Sequence, residues 1–128
     1  MDRPTFSKRE RIVSRKLMEA LFSKGNSHSV SAFPIRIVYM LKEREGDEEP
    51  VQVLISVSKR HFKHAVKRNR VKRQVREAYR RQKTRLTGKV PEGKTLTAAF
   101  IWLADELHDS RQVSNAVRRI LEKVADRL

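Results

Sequence analysis

The chain has 128 residues, a length typical of one domain, and its hydrophobic content of 38% is enough for one modest core. Its 30 lysines and arginines against 15 acids give a formal charge of +15, so we expect nucleic acid as the first class of partner and an anionic membrane surface as the second. No cysteine is present, and no apolar run reaches the ~20 residues of a membrane helix or resembles a secretory signal, so we expect a cytoplasmic protein without disulfides or thiolate metal sites.

Hydrophobic spacing and turn residues divide the chain into seven predicted helices and strands. In the N-terminal part we predict a basic, flexible segment over residues 1–13 and a helix that is capped by Ser14 and ended by Gly25. A short edge strand over 28–32 follows, and then a strand over 33–41 that forms a hairpin with a strand over 51–57. The C-terminal part is predicted to hold a basic helix over 65–86, a strand over 95–103 and a final helix capped by Asp109 or Ser110. This α-β-β-(β)-α-β-α order predicts an α+β fold, a single domain over 1–128 with helices packed on a small mixed sheet.

The predicted helix over 65–86 lies in the most basic part of the chain. The window 59–85 holds thirteen lysines and arginines and a single acid, Glu77, which gives a net charge of +12. At ~100° per residue, the apolar residues of the helix fall within one arc and the cations cover the remaining surface. The arc contains Val71, Val75, Ala78, Gln82 and Leu86, with Tyr79 at its edge. We therefore expect the arc to pack on the sheet and the cations to face a partner.

A run of charge is more often a solvated face than a binding site, but a solvated helix normally mixes signs to gain Glu–Lys pairs. Here Glu77 is the only acid available, and unpaired cations repel each other unless a polyanion neutralises them. A membrane-surface helix needs a bulky apolar face, whereas this one carries mostly valine and alanine. An arginine side chain can donate hydrogen bonds to two phosphate oxygens at once. Asn69 can form hydrogen bonds to a base edge or cap the helix, and we favour the cap. The pattern predicts nucleic-acid binding.

Other polar groups have simpler explanations than catalysis or metal binding. The acidic segment 43–49 is explained as a solvated loop tip. His61 and His64 could bind a metal only with a third ligand, and none is evident, so we expect phosphate or stacking contacts instead. We predict no catalytic residue and no metal site in the protein itself. Trp102, in an apolar strand, is expected in the core.

Three segments of the basic region resemble the signature of the bacterial ribonuclease P protein subunit. They are Val57-Ser58-Lys59-Arg60, Ala65-Val66-Lys67-Arg68-Asn69-Arg70-Val71-Lys72-Arg73 and Arg76-Glu77-Ala78-Tyr79-Arg80. Upstream segments are also similar to that family, namely Phe6-Ser7-Lys8, Arg11-Ile12 and Leu21-Phe22. Length, charge and element order also agree with the family over nearly the whole chain.

This resemblance implies an αβ sandwich with a left-handed β-α-β crossover made by 51–57, 65–86 and 95–103. It also implies that the protein binds a large catalytic RNA and precursor tRNA, and that the complex removes the 5′ leader of the precursor. The RNA would carry the chemistry with Mg²⁺ at the scissile phosphate, so the protein would need neither a catalytic residue nor a protein partner. The rival classes are another RNA-binding protein, such as a ribosomal protein or an RNA chaperone, and a metal-dependent nuclease that acts alone.

The resemblance also assigns two surfaces. The surface for the RNA subunit comprises Lys59, Arg60, Lys67, Arg68, Asn69, Arg70, Lys72, Arg73, Arg76 and Arg80. The cleft for the single-stranded leader, between the first helix and the sheet, comprises Met18, Phe22, Phe33 and Arg36, although both phenylalanines are equally compatible with a core position.

Two departures from the family pattern concern the connector and the cleft. The connector residues 61–64 lack the usual glycine and are one residue longer, so the crossover is expected to differ in shape. Met18 and Arg36 stand where the family often has aromatic residues. Base stacking on an aromatic ring contributes ~1–3 kcal/mol, so leader contacts here are expected to depend more on charge.

Overall fold

A computed structural model describes residues 15–23 and 27–128 of the chain. The helices in these ranges are α1 (Arg15–Leu21), α2 (Ala65–Gln82), α3 (Thr84–Thr87) and α4 (Ser110–Arg127), and the strands are β1 (His28–Ala32), β2 (Ile35–Glu43), β3 (Val51–Ser56) and β4 (Lys94–Trp102). The predicted α+β class with a mixed sheet is confirmed, and β1 is the predicted edge strand. The predicted segment 1–13 and the predicted helix ends Ser14 and Gly25 lie outside the described residues. None of the helices in the described ranges is long and apolar enough to cross a lipid bilayer.

The four strands form one sheet in the order β1-β2-β4-β3. β4 lies between β2 and β3, antiparallel to β2 and parallel to β3, with Val53 opposite Ala98. The predicted hairpin between 33–41 and 51–57 is therefore wrong. β4 separates these strands because every residue from Thr95 to Phe100 is buried, and a strand that is covered on both faces belongs in the middle of the sheet.

α2 connects two neighbouring parallel strands, β3 and β4. A parallel pair cannot be joined by a tight turn, so the chain leaves the sheet after Ser56 and returns at Lys94 once α2 has crossed one face. This is the β-α-β unit that the family resemblance implies, and its left-handed sense stays a prediction. β2 begins at Ile35 instead of residue 33, because Phe33 and Pro34, joined by a cis peptide bond, form the turn after β1.

α2 and α4 cover one face of the sheet and enclose the main core. On α2, Val71, Val75, Ala78 and Tyr79 are buried, and the ring of Tyr79 lies 5.8 Å from that of Phe100 in β4. On α4, six apolar side chains recur at helical spacing and all are buried: Val113, Ala116, Val117, Ile120, Leu121 and Val124. The predicted apolar arcs of both helices are therefore the surfaces that hold them in place.

Two glutamines of α2 also form hydrogen bonds to α4 and to the loop that precedes it. Gln74 Nε2 donates to the carbonyl of His108 at 3.0 Å, and Gln82 Nε2 donates to the carbonyl of Ser114 at 3.1 Å. α2 ends at Gln82, which is earlier than predicted, and Leu86 enters the core from the separate short helix α3, where it is fully buried. The apolar arc of α2 thus packs on α4 as well as on the sheet, and the remaining surface of α2 is left for solvent or a partner.

A reciprocal capping box closes the N-terminus of α4 and identifies Asp109 as the cap. The Asp109 carboxylate accepts from the N–H of Gln112 at 2.8 Å, and Gln112 Oε1 accepts from the N–H of Asp109 at 3.2 Å. Asp109→Ala is expected to lower the free energy of unfolding by about 1 kcal/mol, because the N–H of Gln112 loses its acceptor. Urea unfolding measures this loss. Asp126→Ala, near the other end of the helix, is the control, and an equal loss there would mean that the cap itself contributes nothing.

Candidate RNA interface

The N-terminal half of α2 carries cations without ion-pair partners. Lys67, Arg70 and Arg73 are exposed, and Lys72 and Arg76 are half-buried. Over residues 15–23 and 27–128, no carboxylate lies within ion-pair distance of any of these five side chains. At 1.5 Å per residue they extend along about 14 Å of helix. A rigid row of uncompensated cations of this length is suited to the phosphate backbone of a nucleic acid.

The C-terminal half of α2 differs, because Glu77 compensates two of its arginines. The Glu77 carboxylate accepts hydrogen bonds from Arg80 Nε at 3.0 Å and Nη2 at 2.5 Å, and from Arg81 Nε at 2.9 Å. The hydrogen bonds from Arg80 and Arg81 lower the pKa of Glu77 to about 2. Arg80, which the sequence assigns to the RNA-binding surface, is therefore ion-paired, and a phosphate must compete with Glu77 to bind it.

Glu77 is expected to stay ionised at about pH 3, where an ordinary glutamate is protonated, because both arginines stabilise the charged form. Since its pKa is lowered, the ion pairs stabilise the folded state above pH 4.5, and that contribution is lost as the pH falls toward 2. NMR titration of the Glu77 carboxyl carbon measures this pKa. In an Arg80→Ala/Arg81→Ala variant the pKa is expected to return toward 4.5, and a wild-type carboxyl that already titrates there would show that the ion pairs do not form in solution.

Arg68 stabilises the connector, residues 57–64, that leads from β3 into α2. Its Nη1 donates to the carbonyls of Phe62 and Lys63, each at 2.9 Å. The connector is also anchored by the buried ring of Phe62 and by a hydrogen bond from the N–H of His61 to the carbonyl of Ser58 at 3.1 Å. Arg68 therefore has a structural role in addition to the RNA contact that the resemblance assigns to it.

The connector presents further cations beside the start of α2. Lys59 and Arg60 are both exposed there. His64 is the N-cap residue of α2, and its side chain makes no capping hydrogen bond. The prediction that Asn69 caps the helix is wrong, because α2 begins at Ala65 and Asn69 is its fifth residue. Asn69 is exposed, so its amide is accessible to a partner.

Within residues 15–23 and 27–128, the seven-residue helix α1 packs on part of the opposite face of the sheet. Leu21 is fully buried there in a small cluster with Val38 and Met40, and Met18 packs against the same cluster. Arg36 is separated from Val38 and Met40 by two and four residues along β2, and side chains at this spacing lie on the same face of a strand. The exposed side chain of Arg36 therefore lies on this face. The structure thus brings Met18 and Arg36 to one face of the sheet, as the predicted leader cleft requires.

The two phenylalanines of the predicted cleft lie at different places. Phe22 directly follows α1 and is 52% exposed. Phe33 is 66% exposed, and its ring lies 5.7 Å from that of His108, which in turn lies 5.6 Å from the ring of Trp102. Trp102 is buried in the main core, as predicted. Phe33 therefore borders the helix-covered side of the sheet, away from the cluster around Met18.

Comparison with known proteins supplies the family. The family model described as Ribonuclease P matches residues 6–125. The chain belongs to the ribonuclease P protein family. The ribonuclease P protein component of Porphyromonas gingivalis strain W83 is 42% identical over 128 residues, which cover 95% of this chain and 89% of the relative. That of Chlorobium phaeobacteroides is 37% identical over 87 residues, which cover 68% of this chain and 60% of the relative.

Solved ribonuclease P (RNase P) proteins share the fold. The Staphylococcus aureus protein superposes with a TM-score of 0.68 at 21% identity, covering 90% of this chain and 94% of its own. The Thermotoga maritima protein gives 0.66 at 22% identity, covering 89% and 96%. As a member of this family, the chain is a subunit of the RNase P endoribonuclease and associates with the RNase P RNA.

A contact between His61 and Asp105 in this RNase P protein was not predicted. His61 Nδ1 lies 2.7 Å from Asp105 Oδ1, and the two residues are 44 positions apart, so no local pattern could reveal the pair. It joins the connector to the loop between β4 and α4. In the part of the chain that the structure describes, no three histidines or acids come together as a potential metal site.

Lysines from the neighbouring strands hold the acidic loop between β2 and β3 of this RNase P protein. Lys42 Nζ lies 2.6 Å from Glu48 Oε1, and Lys94 pairs with Glu43. The hydrogen bond from Lys42 lowers the pKa of Glu48, and the same carboxylate accepts from the N–H of Glu45 at 2.9 Å. Part of the acidic loop is therefore occupied in stabilising its own conformation.

Proposed function

We propose that this RNase P protein binds the catalytic RNA through the N-terminal half of α2 and the connector, and so assists the removal of the 5′ leader from precursor tRNA. The observation that carries the proposal is the row of cations from Lys67 to Arg76, which has no carboxylate partner among residues 15–23 and 27–128. Phosphates that approach this row relieve its self-repulsion and release counterions, and both effects favour binding. Lys59 and Arg60 extend the row onto the connector.

In this proposal the RNA catalyses the cleavage, and Mg²⁺ is bound by the RNA and not by a protein site. The cations of α2 reduce the repulsion between phosphates where the RNA subunit and the precursor meet. Less Mg²⁺ is then needed to screen those phosphates. The proposal involves no catalytic residue of the protein and no second protein partner, and it places the reaction in the cytoplasm.

The single-stranded leader is proposed to lie on the sheet face beside α1. Met18 supplies an apolar contact there and Arg36 a cation, and the half-buried Leu54 and Ile101 border the same cluster. Phe22 is exposed at the end of α1, where a base can stack on its ring. Phe33 lies against His108 at the end of the sheet, away from Met18. Phe33 would therefore contact the leader only where the leader passes from one face of the sheet to the other.

Reconstitution with the cognate RNA tests the proposed function. At low Mg²⁺ concentration, 5′-labelled precursor tRNA is expected to lose its leader only when both the protein and the RNA are present, whereas the RNA alone needs more Mg²⁺. Cleavage by the protein without RNA would identify a nuclease with its own active site. Binding of the RNA without any stimulation of cleavage would identify another kind of RNA-binding protein, and either result would overturn the proposal.

A further inference from the structure

An open groove of about 230 Å³ lies between α2 and α4, on the side of α2 that packs against α4. The groove is lined by Gln74, Glu77, Ala78, Arg81, Ser110 and Ser114. Its polar groups are held in place by hydrogen bonds, from Gln74 Nε2 to Ser110 Oγ at 3.3 Å and from Gln82 Nε2 to Ser114 Oγ at 3.2 Å. The exposed lining of the groove is mainly apolar, and these hydrogen bonds hold the polar groups within it.

Arginines border this groove on both helices. On α4, Arg111 precedes Ser114 by three residues and Arg118 follows it by four, so helical geometry places both beside the Ser114 side of the groove. Both are exposed, and no carboxylate in the described ranges lies within ion-pair distance of either. On α2, Arg81 lines the groove and shares the single charge of Glu77 with Arg80. The local charge is therefore positive, which suits a phosphodiester strand.

We propose that this groove is a second binding surface for the RNase P RNA, with Arg111 and Arg118 as phosphate contacts. The inference rests on the proposed function, because it extends the RNA interface from the outer surface of α2 across to α4. It goes beyond the resemblance, which assigns no residue of α4 to RNA.

The position of the groove assigns it to the RNA subunit instead of the leader. The groove shares α2 with the row of unpaired cations, so one RNA can contact both surfaces. The leader surface around Met18 and Arg36 lies on the opposite face of the sheet. The sheet and the main core therefore lie between the groove and the leader surface.

The test compares two double variants on α4 that remove the same charge. Arg111→Ala/Arg118→Ala removes the cations beside the groove. Arg119→Ala/Lys123→Ala removes two exposed cations from the side of α4 away from Ser114. Affinity for the RNase P RNA is measured for both over a range of salt concentrations, after circular dichroism has shown that both fold. Removal of two phosphate contacts reduces the log–log salt slope by ~1.4–1.8 and weakens binding on the order of 30-fold at ~0.1 M salt, and we expect this only of the groove variant.

Three outcomes would contradict the proposed RNA surface in the groove. Equal losses of affinity in both variants would show that net charge matters and position does not, and no loss in the groove variant would show that RNA does not contact these arginines. The groove variant could also bind the RNase P RNA normally but lose affinity for precursor tRNA in the assembled enzyme. That result would show that the groove binds the substrate and would contradict its assignment to the RNA subunit. Failure of the proposed function is distinguishable, because wild-type protein would then fail to stimulate cleavage in the reconstituted reaction.

Discussion

Arg70→Ala/Arg73→Ala is expected to weaken binding of the RNase P RNA and to flatten its salt dependence. Both side chains are exposed on α2 and have no carboxylate partner in the described ranges. Their removal is therefore expected to change the free energy of unfolding little and to lower the affinity for RNA. We expect the log–log slope of affinity against salt to fall by ~0.7–0.9 for each arginine that no longer binds a phosphate. Filter binding or fluorescence anisotropy over a salt series measures the slope.

The Arg119→Ala/Lys123→Ala variant is the matched control, since it removes the same charge from the exposed side of α4. An unchanged slope in a folded Arg70→Ala/Arg73→Ala variant would show that α2 does not contact the RNA. Arg68 is a poorer choice for this test, although it lies in the same motif. Its substitution also removes the hydrogen bonds to the carbonyls of Phe62 and Lys63, so a loss of binding could arise from a displaced connector.

Phe100→Ala is expected to lower the free energy of unfolding by ~3–5 kcal/mol, because it opens a cavity at the centre of the main core. Phe100 lies in the central strand β4, is 1% exposed and contacts the ring of Tyr79 on α2. The loss is a large part of the ~5–15 kcal/mol that stabilises a typical domain. Urea unfolding, followed by circular dichroism, measures it.

Phe33→Ala is the control for that experiment, because it removes the same ring from a position that is 66% exposed. We expect it to change the free energy of unfolding by less than about 1 kcal/mol. Similar losses of stability in the two variants would contradict the placement of Phe100 in the core and of Phe33 at the surface. Affinity for precursor tRNA of the enzyme assembled with the Phe33→Ala variant also tests whether this ring belongs to the leader surface.

Much of this protein could be predicted from local patterns in the sequence. The spacing of Val71, Val75 and Ala78 identified the buried side of α2, and the six apolar residues of α4 did the same for that helix. The cations on α2 and the motif around Asn69 led to the RNase P family. Such features are predictable because helix periodicity, charge density and motif spacing depend on residues close together in the chain.

The pairing of the strands, by contrast, was decided only in the tertiary structure. The predicted hairpin failed because β2 and β3 are neighbours in sequence but not in the sheet. β4 comes later in the chain and lies between them, and every residue from Thr95 to Phe100 in it is buried. Alternation within one strand shows which residues share a face but not which strand lies beside it.

The availability of each cation also depended on tertiary contacts. Charge patterning makes Arg68, Arg70 and Arg80 equivalent, yet Arg68 binds the connector, Arg80 binds Glu77, and only Arg70 is free of both. The pair of His61 with Asp105 and the groove beside Ser114 likewise join segments that are distant in the chain. The sequence by itself determined that α2 is a helix with one apolar and one cationic side. The packing of β3, β4 and α4 around it decided which of its cations a phosphate can reach, because a side chain that donates to the protein's own carbonyls or carboxylates has fewer donors for RNA.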